Sequence, residues 1–230
     1  MNYLKYKASR YEYESSFFLA IIVVISFVFG KYLPLKNPWI YIPIFFLWLI
    51  FVVVLQFLSQ KSQQNQFNYI KGDKGELFLE GILKKLPNNY HYKRGIKFKN
   101  GGDLDFLVIS ENGIFGIENK NISGKITYDE KNKQLLRNHY PFDDKYLKQL
   151  KNNCFKINEI IKNKLNINIF VTPILVFSGL GVSIETPAKV DGVYVLSSDK
   201  ILNFLISSKS GILDEPTKDN IYKLFNQSKN

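Results

Sequence analysis

Cysteine is almost missing from this 230-residue chain: Cys154 stands alone, so no disulfide can form within it, as suits a reducing compartment. Histidine is nearly as scarce. His91 and His139 have no ligand spacing to that cysteine, which argues against a zinc site. No Ser/His/Asp or Cys/His motif supports a covalent nucleophile, and no internal repeat is found. Negative charge is also in short supply, with 20 acidic residues against 31 basic ones and a net charge of +11. Aromatic and aliphatic side chains are plentiful. At 15% aromatic and 46% apolar, the chain has enough core material to exclude complete disorder.

The 46% averages two unlike regions. Between positions 17 and 58, 33 of 42 residues are apolar. The other 188 residues are only about 39% apolar, close to the polar side of ordinary globular composition. One soluble domain over the whole length is therefore excluded. Residues 17–33 lie at the short end of what crosses about 30 Å of hydrocarbon, and residues 39–58 have the full length. Lys31, Pro34, Lys36 and Pro38 mark a turn between them. The reading is an N-terminal membrane anchor over residues 1–58, a hairpin of two transmembrane helices in the lipid bilayer. A signal peptide before a single anchor would need a small-x-small cleavage site, which the stretch after Phe29 lacks. A buried helical pair in a soluble protein sits badly with an uncharged run of this length.

Flanking charge gives the topology. Lys5, Lys7 and Arg10 precede the first span and Lys61, Lys71 and Lys74 follow the second, against Lys31 and Lys36 in the turn. That bias puts both termini and the following domain on the cytoplasmic side of the cell (inner) membrane. Residues 59–71 are polar and Gln-rich, either a linker or a frayed continuation of the second span. Residues 72–230 are the right size for one globular domain. Their pattern predicts a helix over 73–86 and strands near 92–99, 103–110 and 114–120. Short strands follow near 125–129 and 134–138, then a helix over 143–165, a strand at 169–177 and one at 192–196. Helices over 199–206 and 215–226 close the chain. This order implies an α/β fold, a mixed sheet flanked by helices.

Four ionisable residues converge on this scaffold. Leu79, Ile82, Leu83 and Leu86 form one helical stripe, and at 100° per residue Glu76 falls on it. Gly72 and Gly75 share that face and would let the helix approach the sheet. A carboxylate there needs a partner, unless it simply snorkels at the helix start. Asn112-Gly113 between two apolar runs signals a hairpin. With those two residues as the loop, Asp105 lies opposite Lys120 and Glu118 opposite Leu107. All four side chains then share a face, and Asp105 and Glu118 form a diagonal pair about 7–8 Å apart. Two carboxylates so placed can share one divalent ion with a lysine beside it. A plain cross-strand salt bridge between Asp105 and Lys120 would use the same residues. The chemistry that needs the whole set is metal-assisted phosphodiester hydrolysis, with Mg²⁺ or Mn²⁺ as the hard, oxygen-seeking ion.

The motifs Gly72-x-x-Gly75-Glu76, Leu104-Asp105-Phe-Leu-Val-Ile and Gly113-Ile-Phe-Gly-Ile-Glu118-Asn-Lys120-Asn-x-x-Gly124 resemble the nuclease-related domain, NERD, of the PD-(D/E)xK nuclease superfamily. The resemblance implies a restriction-endonuclease-like fold, with Asp105 and Glu118 as metal ligands and Glu76 completing the site. It implies Lys120 as the residue that positions or activates water, and Gln149 as the family's helical glutamine. Gly101-Gly102-Asp103 departs from the family pattern, and Asp103 could replace Asp105 if the register moved. DNA is the substrate the resemblance favours over RNA. Lys93, Arg94, Lys97 and Lys99 form a basic strand that could contact phosphates, or could equally guard an exposed sheet edge. Two other classes use the same charge: a catalytically inactive module tethering nucleic acid or a partner to the membrane, and a scaffold for anionic lipid headgroups.

Overall fold

The computed structural model describes Tyr13, Lys31, residues 16–18, 20, 21, 23 and 24, and residues 38–227 apart from 99, 100, 143, 144 and 210. The chain divides into two compact units, Met1–Asp73 and Lys74–Asn230.

Helix α1 (Pro38–Leu83) begins in the first unit. Among the described residues it is the one helix long and apolar enough to cross a membrane. Phe46, Leu47, Ile50, Val53, Val54 and Phe57 are exposed on it, as lipid-facing side chains would be. The expected span 39–58 lies inside this helix. The expected first span, 17–33, and the turn after it fall largely outside the described residues. The Gln-rich stretch 59–71 is helical, and the helix start expected near Asp73 does not occur. Gln and Lys are good helix formers, and glycines such as Gly72 and Gly75 cost about 1 kcal/mol each without breaking a helix.

The second unit holds the last turns of α1, where Leu79 and Leu83 are buried. Strands β1 (His91–Lys97), β2 (Asp103–Ser110), β3 (Gly113–Lys120), β4 (Gly124–Asp129), β5 (Gln134–Arg137) and β6 (Tyr140–Pro141) follow. Next come helix α2 (Lys145–Leu165) and strands β7 (Val171–Phe177), β8 (Val182–Glu185), β9 (Lys189–Val190) and β10 (Val193–Ser197). Helices α3 (Ile201–Ser207) and α4 (Glu215–Gln227) complete the order.

Among the described residues there are two sheets. The larger runs β1-β2-β3-β7-β10-β9 and is mixed: β3, β7 and β10 are parallel neighbours, and the remaining pairs are antiparallel. The smaller runs β6-β5-β4-β8 and was not expected as a separate sheet. Its β4–β8 pair is parallel and continues the β3–β7 pair, since β4 follows β3 and β8 follows β7 after short loops. Apolar residues cover both faces of the large sheet. Leu107, Ile109, Ile114 and Leu175 pack with Leu150, Cys154, Ile157 and Ile161 of α2. Phe106, Val108, Phe115 and Ile174 pack with Leu79 and Leu83 of α1 and Leu205 of α3. This is an α/β fold with a mixed sheet flanked by helices.

The β2–β3 register differs from the one expected. Ser110 pairs with Gly113 and Phe106 with Ile117, so the loop is Glu111-Asn112 rather than Asn112-Gly113. Asn112 is held by tertiary bonds: its amide nitrogen donates to Tyr90 Oη at 2.8 Å and to the Ile206 carbonyl at 3.0 Å. Its backbone N–H donates to Ser110 Oγ at 3.2 Å. Gly113 takes a φ of 132° as the first residue of β3, where a side chain would be strained. The correction moves every partner by two residues and therefore leaves every side chain on its expected face.

Candidate active site

Strands β2 and β3 part company at one end. Their ladder stops at Phe106–Ile117. Beyond it β2 stays paired with β1 as far as Lys97–Asp103, and β3 stays paired with β7 as far as Lys120–Phe177. A fork opens between them at the carboxyl end of β3. Asp105 lies in the fork and substitutes its carboxylate for the missing strand: Oδ2 accepts the Asn119 backbone N–H at 2.7 Å. The corrected register, carried one position past the end of the ladder, brings Asp105 level with Glu118 rather than diagonal to it.

Glu118 and Lys120 leave the same face of β3, two residues apart. Lys120 Nζ donates to Glu118 Oε1 at 2.7 Å and lies 4.2 Å from the centre of the Tyr146 ring on α2. Both side chains are mostly buried, with 12% of Glu118 and 22% of Lys120 exposed. A close approach of helix to sheet makes this possible. A side chain at Gly116 would collide with Cys154 Sγ of α2 and push the helix off β3. Cys154 itself is buried, and burial together with the Glu118 charge pushes its thiol up to about 12, so it stays a protonated packing group.

The third carboxylate arrives from α1. Gly75 packs so close that a side chain there would crowd Asn121 and come within 3.1 Å of Asn119 Nδ2. Nothing among the described residues lies within 4 Å of a side chain built at Gly72, so close approach is confined to Gly75. Glu76 follows and carries the partner its buried face required: Arg94 Nε and Nη2 each lie 3.0 Å from Glu76 Oε2. Arg94 Nη1 reaches Glu80 Oε2 at 3.1 Å. Glu80 is one helical turn beyond Glu76, a spacing legible in the sequence once Glu76 is placed. Arg94 is thus an internal clamp between α1 and β1.

The electrostatics record the crowding. Asp105 is held well above the usual carboxylate range, first by burial, then by the charges of Glu118 and Glu76. The Asn119 N–H and the Lys120 charge only partly offset this. Burial also raises Glu118, against the opposing pull of Lys120, and the Asp103 charge adds to the rise. Lys120 is raised because Glu118, Asp105 and Tyr146 together outweigh its own desolvation. Such a cluster of like charges in a partly dry fork is what a bound cation relieves.

The other expected site residues scatter. Gln149 is exposed on α2, one turn after Tyr146, and lines a groove beside the fork rather than the fork itself. Lys93 donates to Asn226 Oδ1 at 3.1 Å, and Lys97 is exposed at the end of β1. Lys99 lies outside the described residues. Asp103 is exposed, pairs with Lys97 across the β1–β2 ladder, and lends its carbonyl to Asn153 Nδ2 at 2.7 Å. The fork carboxylate is therefore Asp105. Tyr146 and Glu80 escaped the sequence reading, as aromatic and acidic helix residues without motif context.

No group of three His, Cys, Asp or Glu among the described residues forms a ready cage for a metal. Two carboxylates at an open fork nevertheless fit a magnesium-like ion, which commonly takes one or two carboxylates and fills its octahedron with water and phosphate oxygens. Residues 71–178 match the family model described as nuclease-related domain. The match covers Glu76, Asp105, Glu118, Lys120 and Gln149 and stops just after β7. No curated protein matches the chain significantly.

Proposed function

We propose that this chain is a membrane-anchored, divalent-metal-dependent nuclease of PD-(D/E)xK type that hydrolyses phosphodiester bonds, DNA being the favoured substrate. The observation that carries the reading is the convergence of Asp105, Glu118 and Lys120 in a fork where two strands give up their pairing. The nuclease-related match over residues 71–178 supports it.

In this reading Asp105 and Glu118 hold Mg²⁺ or Mn²⁺, with Glu76 behind them. When bound, such an ion polarises the phosphate and acidifies water. Lys120 Nζ sits 2.7 Å from Glu118 and 4.2 Å from the centre of the Tyr146 ring, so its ammonium is restrained at the edge of the site. From there it orients the attacking water or stabilises charge developing on phosphate oxygens. Arg94 fixes Glu76 and keeps the third carboxylate from adding its full charge to Asp105. The restriction-endonuclease-like description of the 72–230 domain, behind an anchor over 1–58 and a connecting stretch over 59–71, belongs to the same proposal.

The anchor reading rests on the apolar, outward-facing α1 and on the lysines flanking the apolar stretch. It places both termini and the nuclease domain in the cytoplasm. Cys154 is buried and protonated, so single cysteines can be introduced against a silent background. Asn37→Cys should react with an impermeant maleimide on intact cells and Ser228→Cys should not; the reverse pattern would overturn the topology.

The test of function is Mg²⁺-dependent cleavage of single-stranded and duplex DNA, and of RNA, by the full chain in detergent. Glu118→Ala and Lys120→Ala serve as paired controls. Equal cleavage by wild type and variants would remove the site assignment. Nucleic-acid binding with no metal-dependent cleavage would favour the inactive tethering module.

A further inference from the structure

One departure noted in the sequence, Gly101-Gly102 where the family pattern differs, has a structural counterpart. Both glycines adopt left-handed conformations, with φ of 81° and 85°. The loop they form lies against α2, at Asn153 and Lys156. A side chain at Gly102 would stand 3.1 Å from Asn153 Oδ1 and 3.6 Å from Lys156 Nζ. Lys156 Nζ donates to the Gly101 carbonyl at 2.9 Å and rests over the Phe98 ring. Between loop and helix is an open groove of about 410 Å³, lined also by Lys145, Lys148 and Gln149.

Three features give this groove its meaning. First, its described lining holds three lysines and no carboxylate. Second, the lining positions 145, 148, 149, 152 and 156 recur at helical spacing along one side of α2, with buried Asn153 at the margin, while Leu150, Cys154 and Ile157 of the inner face pack on the sheet. Third, the groove shares its helix and a wall with residues that touch the fork strands: Tyr146, one turn before Gln149, carries the Lys120 ammonium over its ring, and Asn153, which lines the groove, donates to the carbonyl of Asp103 on β2. Bare glycine backbone on one wall and cations with amide donors on the other are suited to a chain of phosphates with sugars between them.

We infer that this groove holds the phosphodiester backbone of the nucleic-acid strand adjoining the phosphate that reacts at the fork. The inference rests on the nuclease reading and assigns its strand-binding surface. Lys145 and Lys148 neutralise phosphates, Gln149 and Asn152 donate to sugar or phosphate oxygens, and Gly102 keeps the wall low enough for the strand to pass. The basic strand β1 becomes secondary, because Arg94 is committed to Glu76 and Glu80.

The experiment measures binding of fluorescein-labelled single-stranded and duplex oligonucleotides to the full chain in nanodiscs of zwitterionic lipid, with EDTA present so that nothing is cut. Lys145→Ala/Lys148→Ala should weaken binding about 10-fold or more and lower the salt slope by about 2, roughly one per phosphate contact. Gly102→Ala should also weaken it. Lys164→Ala, at the far end of the same helix, should change affinity less than about 2-fold, which separates a local contact from net charge. In Mg²⁺ the lysine variants should raise KM and leave kcat nearly unchanged. Equal losses for Lys164→Ala and the groove variants would overturn the groove even if cleavage is intact. Lysine-dependent binding by a chain that cuts nothing would support the groove and sink hydrolysis. Absence of any nucleic-acid binding by the wild-type chain would overturn both.

Discussion

The two ends of the β2–β3 hairpin are built from the same two strands and obey opposite rules. At the loop end Ile109, Ile114 and Phe115 are fully buried, the ladder is complete, and the loop is fastened to Tyr90, Ile206 and Leu213. At the fork end the ladder is abandoned, and three carboxylates and a lysine occupy space that apolar side chains would fill more stably. A backbone N–H that a strand would have satisfied is satisfied by Asp105 instead. The loop end is organised for stability and the fork end for charge, and it is at the fork end that the local rules of folding are broken.

The largest expected effect separates the two ends by activity. Lys120→Ala should lower metal-dependent cleavage about 10²–10³-fold, the usual loss when one preorganised charge-stabilising donor is removed. The variant should also melt at a lower temperature, because it leaves the mostly buried Glu118 carboxylate without its partner, so cleavage is compared per folded molecule. A variant that cut normally would mean the fork is not the reacting centre. The converse substitution, Ile114→Ala at the loop end, should cost about 2–5 kcal/mol of stability by leaving a cavity. Chemical denaturation would read this as a lower midpoint at unchanged slope, while kcat per folded molecule stays near wild type. Loss of kcat in a folded Ile114→Ala protein would show that the two ends are mechanically coupled.

A smaller effect concerns the clamp beside the fork. Arg94→Gln leaves Glu76 and Glu80 with a neutral amide in place of a guanidinium and should cost about 1–3 kcal/mol. The uncompensated Glu76 charge should also raise Asp105 further, so the acid limb of the cleavage profile moves to higher pH. An unchanged limb would mean that Glu76 is too well screened to reach Asp105.

Much of this contrast was legible in the sequence. Alternation along 103–110 and 113–120 put Asp105, Glu118 and Lys120 on one face, and that survived a wrong loop because a two-residue shift preserves faces. What failed was the loop itself: Asn-Gly favours a hairpin turn locally, but Asn112 is committed to Tyr90 and Ile206, which lie far away in sequence. Glu76 was placed on the buried face by helical geometry alone. Arg94, its partner, read as one cation of a basic strand that contacts phosphates or guards a sheet edge, because composition along β1 cannot reveal an ion pair to a helix. The small sheet was illegible for another reason. Strand β8 alternates two half-buried residues with two exposed ones and exists through parallel pairing with β4, nearly 60 positions earlier. Gly101-Gly102 was noticed only as a departure; its role needed the helix that lies against it.

The smallest expected effect is the most informative about the fork end, because its sign is unusual for a site residue. Asp105→Asn keeps an oxygen that can accept the Asn119 N–H but removes the charge that burial, Glu118 and Glu76 all oppose. In metal-free buffer at neutral pH the variant should therefore melt at a higher temperature than the wild type. The pH dependence follows from the raised carboxyl. A group bound more tightly to its proton in the folded state destabilises that state as pH rises from the ordinary carboxylate value through the raised one. The advantage of the variant should be fully present above that window and fade below it, where wild-type Asp105 is already protonated. Mg²⁺ should reverse the order by stabilising the wild type alone, since only the wild type keeps both carboxylates to hold the ion. If Asp105→Asn instead melts lower at neutral pH, the carboxylate is a structural anchor for Asn119, and the fork end obeys the same rules as the loop end.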